Sequence, residues 1–155
     1  EAPSADFPND TEAEVLQWVP SDIVPSCHSV DEIYVNEVDT VRCDGSTEHA
    51  PIDYSLFETT RLMDRAFDAD LEREDEQPTD DGACEDGNYL DTYTIDGEPG
   101  GRILCTFYDA PDGKVYKVIE WTNENRNILT YLSSATRSWD ELIAFWADEA
   151  GPINE

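Results

Sequence analysis

The side chains able to do chemistry in this chain are overwhelmingly carboxylates. Thirty-seven Asp and Glu face nine Lys and Arg, with two histidines and four cysteines. General acid–base catalysis needs two carboxyl groups held in unlike environments. With acids this abundant, no one pair stands out as diagnostic. His28 and His49 are the histidines, and a Ser–His–Asp set could be drawn from His49 with Ser46 and Thr47 nearby. No G-x-S-x-G elbow supports it. Oxygen-rich loops at 75–86 and 109–112 could instead hold a hard cation, calcium above all, through Asp80, Asp81, Asp109 and Asp112. Neither loop has the alternating acids and twelfth-position Glu of an EF-hand, and the plainer reading is a solvated turn. Four tryptophans, at 18, 121, 139 and 146, could build an aromatic platform. Trp18, Trp121 and Trp146 fall on apolar stripes and read as core. Trp139, beside a helix cap, is the candidate for an exposed ligand-binding indole.

The cysteines are Cys27, Cys43, Cys84 and Cys105, with no C-x-x-C pair among them. Structural zinc wants tighter spacing. An even count at wide spacing suits two disulfides in an oxidising compartment. Of the three possible connectivities, sequential pairing is preferred, Cys27 with Cys43 and Cys84 with Cys105, because each pair then brackets one local loop.

The formal net charge of -28 excludes more than any motif does. Such a surface repels phosphate backbones and anionic headgroups, which argues against nucleic-acid binding and membrane adsorption. It also repels itself unless counter-ions screen it, as in a salt-adapted or cation-binding protein. The 39% hydrophobic content is too high for a disordered acidic tail. No apolar run approaches the roughly 20 residues that span a bilayer. At 155 residues the chain reads as one domain, 11–155, behind a disordered leader or tether at 1–10.

The elements that must position these groups follow from periodicity. Thr11 and Glu14 have the form of a capping box, opening a helix with an apolar face at Val15, Leu16, Trp18 and Val19 that Pro20 stops. Strands are expected at 38–43 and 52–57, then a helix over 59–74 with Leu62, Met63, Ala66, Phe67 and Leu71 at helical spacing. An acidic loop at 72–87 divides the chain. Strands follow at 89–95, 102–108, 115–122 and 128–134, the middle two joined as a hairpin by 109–113. Ser138 and Glu141 make a second capping box, and Gly151-Pro152 ends the last helix. Strand–Cys–turn–strand–helix thus occurs twice. The class is α+β: an antiparallel sheet with helices packed on one face, a possible pseudo-repeat of two halves, and two disulfides.

The order of these pieces resembles the extracytoplasmic, sensor-like domains of actinobacterial receptor-type serine/threonine kinases and related exported proteins. The residues that carry the resemblance run from Val15-Leu16 and Val19-Pro20 to Cys27, then Val41-Arg42-Cys43 and Tyr54-Ser55-Leu56-Phe57 before Met63 and Phe67. They continue through Cys84, Gly101-Arg102-Ile103-Leu104-Cys105, Glu120-Trp121-Thr122, Ile128-Leu129 and Phe145-Trp146-Ala147. The resemblance implies an exported sensing or accessory domain with two disulfides and brings no catalytic residues. The expectation is therefore a non-enzymatic binding module, extracellular or at the cell surface. Its partner would be a small molecule or a protein, and homo-oligomerisation is open. Alternatives are a structural subunit of an extracellular filament or surface assembly, and a hydrolase built on a carboxylate pair.

Overall fold

The computed structural model describes residues 8–30, 37–45, 50–72, 78–95 and 97–146. Most of the leader, His49, the middle of the acidic loop and Gly151-Pro152 lie outside these. A seven-stranded antiparallel sheet runs in the order β1-β2-β3-β7-β6-β5-β4. Its strands are β1 (Cys27–Ser29), β2 (Glu37–Cys43), β3 (Ile52–Phe57), β4 (Tyr89–Ile95), β5 (Glu98–Asp109), β6 (Val115–Asn123) and β7 (Ile128–Ser134). Three helices, α1 (Asp10–Leu16), α2 (Thr60–Leu71) and α3 (Trp139–Phe145), complete it. The first half of the chain supplies β1 to β3 and the second supplies β4 to β7, which meet where β3 pairs with β7. The α+β class, the hairpin and six of the strands are where the periodicity places them, although β5 begins at Glu98, ahead of the expected 102; β1 is a seventh strand that the periodicity does not mark.

The helices, however, occupy both faces of the sheet. Residues opposite one another in a ladder share a face, and the register sorts the core into two clusters. Val41, Ile52, Tyr54, Leu132, Ile119, Trp121 and Ile103 form one face, against Val15 of α1 and Trp139 and Leu142 of α3. Phe57, Leu129 and Leu104 form the other, against Met63 and Phe67 of α2. The interior strands carry apolar residues on both faces, so one layer of helices could not cover them. The helices that close the two halves accordingly sit on opposite faces.

Local chemistry sets each helix. Asn9, rather than Thr11, caps α1: its Oδ1 accepts the Glu12 amide at 2.8 Å, and Glu12 Oε1 accepts the Asn9 amide at 2.8 Å. The Thr11 hydroxyl is drawn away to Asp39 on β2. Glu12 is buried, and its second oxygen accepts the Ser29 hydroxyl at 2.6 Å, tying α1 to β1. A buried carboxylate is tolerable only with such partners. Thr59 caps α2 through the Leu62 amide at 3.1 Å. Arg102 of β5 pairs with Asp68 at 2.9 Å and Asp64 at 3.5 Å, and lies 4.4 Å over the Phe67 ring. Ser138 and Glu141 cap α3 as the sequence predicts.

Both disulfides pair sequentially. Cys27–Cys43 joins β1 to β2, and Cys84–Cys105 joins the short turn before β4 to β5. Gly101 has φ 151°, and a Cβ there would lie 2.1 Å from the Thr122 carbonyl oxygen, so β5 can approach β6 only with glycine at this point. Phe67 is fully buried between α2 and the sheet. Phe67→Ala is expected to cost about 3–5 kcal/mol in denaturant unfolding; a loss under about 1 kcal/mol would contradict this packing.

Candidate functional site

The hairpin of β5 and β6 runs past its neighbours. β4 begins at Tyr89, opposite Cys105, and β7 ends at Ser134, opposite Lys117. The last turn of the hairpin therefore has no strand beside it among the described residues. Ala110 donates to the Lys114 carbonyl at 2.9 Å, and Asp112 accepts the Lys114 amide at 2.9 Å. Gly113 takes the left-handed conformation, φ 87°, that the turn requires.

Large apolar side chains are gathered on this end. Phe107, Tyr108 and Val115 are 41%, 48% and 50% exposed. Tyr108 lies opposite Tyr116 with ring centroids 6.4 Å apart. Phe107 points to the other face, where Trp139 meets it edge-on at 5.6 Å. Gly87 fixes the ring from the side, since a Cβ there would lie 2.3 Å from Phe107 Cδ2. Residues 107–117 hold two acids, Asp109 and Asp112, and the chain's two lysines, Lys114 and Lys117, for a net charge of zero. In a chain of -28 this hairpin end is a net-neutral surface with exposed aromatic residues.

Trp139, the expected exposed indole, is buried, and its contribution to this surface is to back Phe107. Trp121 is buried and Trp146 half-buried, meeting Tyr93 and Trp121 edge-on at 5.6 and 6.2 Å. Trp18 is half-buried beneath the Arg126 guanidinium, 3.7 Å from its ring centre. Asp80 and Asp81 sit exposed on the turn before β4, and Asp109 and Asp112 sit exposed on the hairpin. Among the described residues no three His, Cys, Asp or Glu side chains gather where one ion could be held. Asp112 has a local role instead, closing its own turn.

His28 has both ring nitrogens on acceptors. Nε2 lies 2.9 Å from Asp44 Oδ1 and Nδ1 lies 2.8 Å from the Ser29 carbonyl. Two acceptors are satisfied only by the doubly protonated ring. The Asp44 hydrogen bond, then the Ser29 carbonyl, raise its pKa above the usual 6.5.

The centre of the sheet face under α2 carries a row the sequence does not mark: Arg42, Asp53, Tyr131 and Glu120, opposite one another across β2, β3, β7 and β6. Arg42 Nε donates to Asp53 Oδ1 at 2.8 Å and Nη2 to Oδ2 at 3.1 Å. Burial pushes the Tyr131 phenol well above its ordinary range, with Glu120 and Asp70 adding to it. Glu120 is itself buried. Within this row the Arg42–Asp53 pair ties β2 to β3.

The hairpin surface was legible only in part. The turn is plain, but the signal for exposure is the consecutive apolar pairs Phe107-Tyr108 and Val115-Tyr116, which break strict alternation where no neighbouring strand can cover both faces. No protein-family model, curated protein or solved structure matches the chain. No described helix is long and apolar enough to cross a membrane.

Because His28 is raised, its contribution to stability is fully present below its unfolded pKa and lost as pH rises through the folded value. Proton NMR titration is expected to place His28 above 6.5 and to bring it back toward 6.5 in Asp44→Asn. A value unchanged by that substitution would contradict the assignment of the shift to Asp44.

Proposed function

We propose that this chain is an exported, non-enzymatic binding module of the sensing kind, meeting its partner through the end of the β5–β6 hairpin. The observation that carries the reading is the exposure of Phe107 and Val115 on one face, and of Tyr108 beside Tyr116 on the other, of a net-neutral projection from a strongly anionic body. Exposed apolar patches mark contact surfaces, and aromatic residues are enriched at interface centres. The surrounding acids would keep nucleic acids and anionic membranes away from the same surface. Two disulfides support export, since such bonds persist in oxidising compartments. The resemblance to extracytoplasmic sensor domains supports the sensing role. The matching partner offers an apolar recess for the tyrosine pair.

A photo-crosslinking residue placed at Tyr108, in cells exporting the protein, is expected to give a discrete adduct. The same residue at Ala13, exposed on α1, should give none. Tyr116→Asp should reduce the Tyr108 adduct by about tenfold or more. Equal labelling from both positions, or no adduct from Tyr108, would overturn the reading.

A further inference from the structure

The outer face of α2 carries four exposed charges in one stripe: Arg61, Arg65, Asp68 and Glu72. Their spacing of four, three and four residues keeps all four on one side of the helix. Met63 and Phe67 face the opposite way, into the sheet. The stripe is divided by sign, with both arginines toward the helix N-terminus and both acids toward its C-terminus. It lies along a shallow depression of about 490 Å³ lined by Thr60, Arg61, Asp64, Arg65 and Asp68.

The acids nearest these arginines within the helix, Asp64 and Asp68, are already engaged by a cation of the sheet. Arg102 reaches from β5 to pair with Asp64 and Asp68. The described ion pairs engage His28, Arg42 and Arg102, and neither Arg61 nor Arg65 has one among the described residues. Two exposed cations one turn apart, without an ion pair among the described residues, suit an acidic counterpart.

The stripe supplies its own. Residues 61 and 72, and residues 65 and 68, are placed symmetrically about the point between Ala66 and Phe67. We propose that α2 is a self-complementary docking surface for a second copy of this chain, the two helices lying antiparallel about a two-fold axis at that point. Arg61 of each copy then faces Glu72 of the other, and Arg65 faces Asp68. A two-fold interface requires this kind of self-matching surface. The outermost contacts are separated by about 16 Å along the helix. Arg–carboxylate pairs are suited to it because the guanidinium fork binds both oxygens. Asp68, although held by Arg102 through Oδ1, retains acceptor capacity for a second donor. The exposed Ala69 beside the stripe adds little bulk between the helices.

Salt should act on this dimer in an unusual direction. At about 10 mM salt, charge repulsion still reaches about 30 Å, and two bodies of -28 repel each other. At about 1 M the screening length falls to about 3 Å, which removes the long-range repulsion while contacts at hydrogen-bond distance persist in part.

Sedimentation velocity of the full chain in low and in about 1 M KCl tests this. The expected result is a monomer at low salt and a concentration-dependent dimer at high salt. Arg61→Glu and Glu72→Arg should each weaken the dimer by about tenfold or more. The double variant should restore it, and an equimolar mixture of the two single variants should form a one-to-one heterodimer. These positions are exposed, and circular dichroism of each variant checks that the fold is kept. A monomer at every salt concentration would overturn the proposal. So would a dimer indifferent to both reversals, or one lost only with Tyr108→Asp, which would place association at the hairpin.

Discussion

Mutual repulsion among the carboxylates is the constraint against which the structure is built. A chain of 155 residues at -28 loses stability simply by becoming compact. Hydrophobic burial must offset that repulsion as well as the chain entropy. The fold answers by covering its sheet on both faces, with one apolar cluster under α1 and α3 and another under α2. The two disulfides act on the other side of the balance, by limiting how far the unfolded chain can expand to relieve its charge.

The few cations are placed accordingly. Arg102 and Arg42 meet acids that the fold brings close to the sheet, and Arg126 covers Trp18. Glu12, buried at the start of α1, has both oxygens occupied by donors. What remains on the outside, among the described residues, is a strongly anionic surface. It is interrupted by the net-neutral aromatic end of the β5–β6 hairpin and by the arginine half of the α2 stripe. In a molecule whose default surface repels other anionic bodies, these interruptions are where close approach costs least.

Much of this was legible in the sequence because its signals are local. Alternation marked the strands, Asp109-Ala110-Pro111-Asp112-Gly113 marked the hairpin turn, and Ser138 with Glu141 marked the start of α3. The cysteine pairing followed from the way each pair brackets one segment. The features that were not legible depend on contacts distant in the chain. Asn9 with Glu12 and Thr11 with Glu14 have the same cap spacing; the structure uses the first pair, and the Thr11 hydroxyl reaches Asp39 on β2. An apolar stripe shows that a helix packs, but not which side of a sheet it meets, so the placement of α2 opposite α1 and α3 could not be read from periodicity. Trp139 looks exposed beside its cap and is buried because Phe107 lies across it. The exposed aromatic surface is the counterpart of that same contact.

The most direct test of the central claim is the unfolding free energy as a function of NaCl, measured with the disulfides intact and again after reduction. The account predicts that stability rises with salt in both forms. It also predicts that the reduced protein is unfolded at low salt and regains its fold at high salt. Stability independent of salt, or a reduced protein as stable as the oxidised one at low salt, would contradict it.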